Sequence, residues 1–320
     1  MFSGKLSLTL ALVATFFLGL SACEAPATNN ESTEAGNPPK TIAETAAGDE
    51  RFSTLVSLLD RVNLVDVLAN EDAAFTVFAP TNAAFTAAGI DASQLTDEEI
   101  TEILLYHVIG GSAIESKDLP EGKIYASTAA QTGPNGTALS LLVERKGGEV
   151  TLNNTVKVAI ADLEASNGTI HAIDGVLLPL DVVGHAIAND NFSTLVQVLT
   201  DAPGGLVPLL QSEGPFTVFA PVNEAFEEIK ETVATLSGEQ VAKVLTYHVV
   251  GGANVLSTDL TNGQKVGTAN TGQEFTVNIN EDSVTLTDAA GNEVKVVATD
   301  VQATNGVIHV ISNVLLPSNL

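Results

Sequence analysis

The chain has 320 residues, 45% of them hydrophobic, with 13 Lys+Arg against 39 Asp+Glu and a formal net charge of −26. That length suits two ordinary domains with a sizeable core, and that charge excludes nucleic acid, where affinity comes from Lys and Arg on phosphates, and electrostatic docking on anionic lipid. The acid excess reads as solubility through self-repulsion, with high external salt or weak surface Ca²⁺ binding as the alternatives.

The first element in chain order is "LSLTLALVATFFLGL" (6–20), an apolar run behind "MFSGK". At the extreme N-terminus such a run predicts an export signal, residues 1–22. It ends in "LSAC", and Cys23 is the only cysteine of the chain. A lone cysteine cannot staple its own chain, so in an exported protein it calls for a specific explanation. Leu20-Ser21-Ala22-Cys23 resembles the bacterial lipobox. The resemblance implies cleavage before Cys23, a diacylglycerol on its thiol and an acyl group on its new amine; buried acyl chains anchor at about 0.8 kcal/mol per CH₂. The alternative is an ordinary signal cut nearby, leaving a free thiol. Glu24 follows where the enteric sorting pattern for inner-membrane retention has Asp, which favours an outer-membrane or cell-surface destination. The segment after Cys23, through residue 40, is poor in large apolar groups and rich in Pro, Asn, Thr and Glu. It cannot offset the entropy of ordering, so it is expected to be a flexible tether holding the folded part about 20–25 Å from the membrane.

The remainder is an internal repeat. "FSTLV" (52–56) recurs at 192–196, "FTVFAPTNAAF" (75–85) as "FTVFAPVNEAF" (216–226), and "NGTIHAIDGVLLP" (167–179) as "NGVIHVISNVLLP" (305–317). The offsets of 140, 141 and 138 residues are too long for a solenoid unit and mark a domain duplication, with domains at 41–180 and 181–320. Only "LPL" (178–180) joins them, so the domains are expected to touch or to be held at a limited angle.

Within each unit, "TIAETAA" and "FSTLVSLLDRV" carry helical apolar spacing, and "AFTVFAP" (74–80) reads as a buried strand stopped by Pro80. "TDEEITEILLYHV" opens with the capping-box pair Thr96 and Glu99, and the second copy offers Ser237 and Gln240. Alternating strands with Gly/Asn/Asp turns follow. Asn167-Gly168, like Asn305-Gly306, is a hairpin signal between apolar runs. Helices mixed with antiparallel strands imply an α+β fold.

These blocks, in this order and in both copies, resemble the fasciclin (FAS1) domain family. "TVFAPTNAAF" matches its first block, "NGTIHAIDGVLLP" and "NGVIHVISNVLLP" its second, with a Tyr-His block between them. The resemblance covers about 280 of the 320 residues. It implies two tandem domains, each a seven-stranded β-wedge with packed helices. It also implies adhesion or extracellular interaction without common catalytic chemistry, metal or cofactor.

The polar residues that repeat are the candidates for function. Tyr106-His107 in "LLYHVIGG" and Tyr247-His248 in "LTYHVVGG" are candidate partner-contacting residues, since the block resembles an integrin-contacting motif in animal members. The alternative is structural. His107 continues the stripe Ile100, Ile103, Leu104, and His248 the stripe Val241, Val244, Leu245, which places both on the core face of a helix. His171 and His309 sit in strands apolar on both faces and are expected to fix a strand to a neighbouring segment, as part of a structural motif with Asn167, Gly168, Asn305 and Gly306. His185, unmatched in the first copy, is expected to be exposed. Asp162 and Asp300 are expected to bond locally at a turn. No HExxH, phosphate-loop or GxSxG motif occurs.

The reading that results is a non-enzymatic, lipid-anchored adhesion or interaction protein of a bacterial envelope, its partner an unknown protein or polysaccharide. The alternatives are a small-molecule or polysaccharide binder using a cleft between the domains, and a hydrolase with an unfamiliar site.

Overall fold

The computed structural model describes residues 39–280 and 283–320. The export signal, Cys23 and all but the last residues of the tether lie outside them. Residues 39–320 form one compact unit.

The first half opens with α1 (Ile42–Ala47), α2 (Ser53–Arg61) and α3 (Val65–Leu68), then β1 (Phe75–Pro80), α4 (Asn82–Ala88), α5 (Asp97–Tyr106) and β2 (Val108–Gly110). Five further strands follow: β3 (Gly122–Ser127), β4 (Ser140–Lys146), β5 (Glu149–Leu152), β6 (Val156–Ala165) and β7 (Gly168–Ile173). The second half repeats the plan with α6 (Val182–Ala188), α7 (Ser193–Asp201), α8 (Leu206–Leu210), β8 (Phe216–Pro221), α9 (Asn223–Glu228), α10 (Lys230–Thr235), α11 (Gly238–Tyr247) and β9 (Val249–Gly251). Its remaining strands are β10 (Lys265–Gly267), β11 (Glu274–Asn280), β12 (Ser283–Thr287), β13 (Glu293–Ala303) and β14 (Gly306–Ile311).

Each half holds a seven-stranded sheet, in the orders β2-β1-β7-β6-β5-β4-β3 and β10-β11-β12-β13-β14-β8-β9. All pairings are antiparallel except β1–β7 and β8–β14, one strand in from an edge of each sheet, which are parallel. The parallel pair explains the composition of "FTVFAP". A strand covered on both faces reads as a continuous apolar run. Val77 and Ala79 face a cluster with Phe52, Leu55, Leu59 and Ile170 under the helices, while Phe78 faces a second cluster with Leu139, Leu141 and Leu152. The second domain splits its core in the same way.

Sequence signals set the ends of several elements. Thr96 and Ser237 close reciprocal capping boxes with Glu99 and Gln240 at the starts of α5 and α11. Gly147 and Gly148, at φ 59° and 91°, make the two-residue turn between β4 and β5. The β6–β7 hairpin differs from expectation by one residue. Ala165 pairs with Gly168, so the turn is Ser166-Asn167 and Gly168 is the first residue of β7. The glycine is needed for close approach, because a Cβ there would lie 2.0 Å from the Phe75 carbonyl oxygen. Among the described residues no helix is long and apolar enough to cross a membrane.

Candidate functional site

The Tyr-His block sits where a helix ends. Helix α5 stops at Tyr106, and His107 is its cap, with φ −84° and ψ −2°. His107 keeps αR backbone and is buried on the core side below Ile103, as the stripe predicts. Its Nε2 accepts the Leu177 N–H at 2.9 Å, so the proton resides on Nδ1, which donates to the Ile103 carbonyl at 2.7 Å. One ring thus satisfies a carbonyl left free at the helix end and a buried amide 70 residues later. His248 repeats the arrangement with Val244 O at 2.8 Å and Leu315 N–H at 2.9 Å. The "VLLP" that ends each copy is the partner of each Tyr-His block. Burial pushes His107 and His248 down to about 4, so both rings are neutral at pH 7.

The tyrosines are enclosed as well. Tyr106 and Tyr247 are both 0% exposed. Tyr106 Oη donates to the Ser140 carbonyl at 2.9 Å and accepts from Asn153 Nδ2 at 3.2 Å, and burial pushes its pKa up to about 12. Tyr247 Oη donates to the Glu274 carbonyl at 2.7 Å and accepts the Ala289 N–H at 2.9 Å. None of the four side chains presents a free polar atom.

Asn167 and Asn305 tie the hairpin to the helical layer. Asn167 Oδ1 accepts the Ile42 N–H at 2.8 Å, and its Nδ2 donates to the Leu68 and Asn70 carbonyls, both at 2.9 Å. Asn305 does the same for Val182, Leu210 and Ser212. The start of the first helix and the end of the third are thereby fixed to one sheet corner.

His171 and His309 clasp the other end of the sheet. His171 Nδ1 accepts the Asp162 N–H at 3.2 Å, so Nε2 carries the proton to the Ile114 carbonyl at 3.0 Å; its ring stacks on Phe78 at 5.4 Å. His309 bonds Asp300 and Val255 in the same way and packs against Phe219. The aspartates are not local turn residues as expected. Asp162 and Asp300 sit in strand irregularities with left-handed backbone, φ 60° and 61°. Their carboxylates reach Ser116 and Ser257, 46 and 43 residues away. Partial burial would raise the Asp162 pKa, but the two Ser116 bonds outweigh it and hold the carboxyl below its ordinary value.

A second polar cluster lies where the two sheets' domains meet, and it was not legible in the sequence. His185, expected on the surface, is 1% exposed. The face of α6 that carries it packs on Tyr125 of β3, ring edge to ring at 5.9 Å and 65°. Asn189 Nδ2 donates to Tyr125 Oη at 2.9 Å, and the Gln302 N–H donates to Ser140 Oγ at 2.9 Å. Lys123 and Asn154 both reach Asp190, at 3.3 and 2.9 Å. The His185 ring lies near the Gln302 backbone, yet among the described residues neither ring nitrogen has a partner in hydrogen-bonding geometry. Burial pushes its pKa down to about 4.

Among the described residues no three His, Cys, Asp or Glu side chains converge as a metal site would require.

Compared with known proteins, residues 50–179 and 190–317 each match the model of the fasciclin domain. The chain belongs to the fasciclin family. It is 43% identical over 153 residues to protein sll1483 of Synechocystis, an alignment covering 46% of this chain and 78% of that one. A second Synechocystis protein, sll1735, is 41% identical over 143 residues, 42% of this chain and 97% of its own. Human periostin is 28% identical over 255 residues; that alignment covers 77% of this chain but 28% of periostin. The repeated blocks are thus two fasciclin domains in tandem, each with the sheet and packed helices described above.

Proposed function

We propose that this fasciclin pair is a lipid-anchored, non-catalytic interaction protein of a bacterial envelope, held through Cys23 and spaced from the membrane by residues 24–40. The observation that carries the reading is where the repeated polar side chains spend their bonds. Tyr106, His107, Asn167, His171 and their second-copy counterparts bond to backbone or buried groups within their own domain. Residues used in this way build a scaffold, and the outer surface is left for recognition. The Tyr-His blocks act on a partner only by holding that scaffold. The net charge of −26 favours a protein or polysaccharide partner over nucleic acid.

The same reading assigns the protein to the outer membrane or cell surface. The test is fractionation of cells expressing the native chain or Cys23→Ser. The native chain is expected with membranes and the variant in the soluble extracytoplasmic fraction. A variant that stays membrane-bound after signal removal contradicts the anchor.

A further inference from the structure

Beneath the helices of the second domain lies an apolar cavity of about 60 Å³. It is lined by Val182 of α6, Leu195 and Leu199 of α7, Leu206 and Leu210 of α8, and Ile308 of β14. About 10–15 Å³ is enough for one water, but a water also needs polar partners. The wall offers none. Its polar side chains are Thr246 and His248, and both are committed elsewhere. Thr246 Oγ1 donates to the Ala242 carbonyl at 2.8 Å, and the His248 ring bonds Val244 and Leu315.

A void of this kind lowers stability, because its lining loses contacts on one side. The two copies differ in both directions at the lining positions: the first copy is bulkier at two of them and smaller at a third, where it has Ala43 for Val183. Val182 takes the place of Ile42, as their shared bond to the clasping asparagine shows, and Thr246 takes the place of Leu105 before the tyrosine. The helix over the cavity, α8, is five residues long and follows Pro203-Gly204-Gly205, whose glycines take φ 99° and 66°. Leu209 lines the cavity and is 51% exposed, so the wall of the space reaches the protein surface at α8.

We propose that the second domain binds a small uncharged apolar molecule in this cavity, with α8 as its cover. As it stands the space takes a sphere the size of xenon or a few methylene groups; outward movement of α8 on its glycines extends it to a small hydrocarbon. The site lies inside one domain, so it is independent of the interaction surface proposed above.

Two measurements test it on the full chain carrying Cys23→Ser, which keeps acyl groups off the protein. In the first, benzene titrated against thermal unfolding is expected to raise the second domain's Tm saturably by about 3 °C, as ligand binding to the folded state requires. The same titration of Val182→Ile/Thr246→Leu, which adds bulk at two lining positions, is expected to show no shift. An absent shift in the parent, or an equal shift in the filled variant, overturns the proposal. In the second, which does not depend on that variant folding, crystals of the parent under xenon pressure are expected to show a xenon atom between Leu199, Leu206 and Ile308. A xenon-free cavity overturns the proposal.

Discussion

Acid should weaken this protein through its buried imidazoles, and the loss can be assigned to single rings. His107, His185 and His248 are held at about 4 in the folded state by burial, against about 6.5 in an unfolded chain. A folded pKa below the unfolded one means that the unfolded chain takes up protons first. Stability is therefore complete above about pH 6.5, declines as pH falls, and levels off below about 4. Each pH unit in that window costs up to about 1.4 kcal/mol per ring, or about 3 kcal/mol per ring over the whole window. Domains are stable by about 5–15 kcal/mol, so the effect is large. Carboxyls ordinarily titrate at about 4, so pH 7 to 5 is the clean interval for the imidazoles. Urea unfolding at pH 7, 6 and 5 would be compared between the parent and His248→Gln. The variant should lose about 1–3 kcal/mol at pH 7, from its two buried hydrogen bonds. Its second-domain transition should then depend on pH less steeply, by up to about 1.4 kcal/mol per unit. Equal pH dependence in parent and variant would refute the assignment of a neutral, buried His248.

Two further substitutions probe the clasps. Asn167→Ala strands the Ile42 amide and two carbonyls at a buried corner and should lower the first domain's stability by about 2–3 kcal/mol in urea unfolding, leaving the second domain's transition in place. His185→Phe replaces a ring whose nitrogens lack partners with an apolar ring that still packs on Tyr125. It should raise stability by about 1 kcal/mol, seen as a Tm increase of about 2–4 °C, and reduce the acid sensitivity of the domain junction.

What the sequence revealed and what it hid have physical causes. The duplication, the α+β class, the capping boxes and the buried strand "FTVFAP" are written in side-chain patterns, which a sequence displays directly. The pairing of His107 with Leu177 is made to a backbone amide, and any residue but proline supplies one, so no signature marks it. Asn167 and His171 donate to the Leu68 and Ile114 carbonyls, which every residue supplies, so these bonds are equally unmarked. The core facing of His107 is legible in the stripe Ile100, Ile103, Leu104, because the cap residue keeps αR backbone and the stripe carries on through it. His185 was placed on the surface because its helix was read alone, and its burial comes from Tyr125 of the other domain. The left-handed Asp162 and Asp300 belong to strand irregularities that period-2 alternation does not show.

The proposed role is tested most directly by adsorption of the folded unit, residues 39–320, to cells of the organism that encodes it. Labelled protein should bind saturably, be displaced by unlabelled protein, and bind equally well as His248→Gln below that variant's melting temperature. Absence of saturable binding to cells or isolated envelopes would contradict the interaction role, and loss of binding in His248→Gln at unchanged Tm would contradict the claim that the repeated motifs are scaffold.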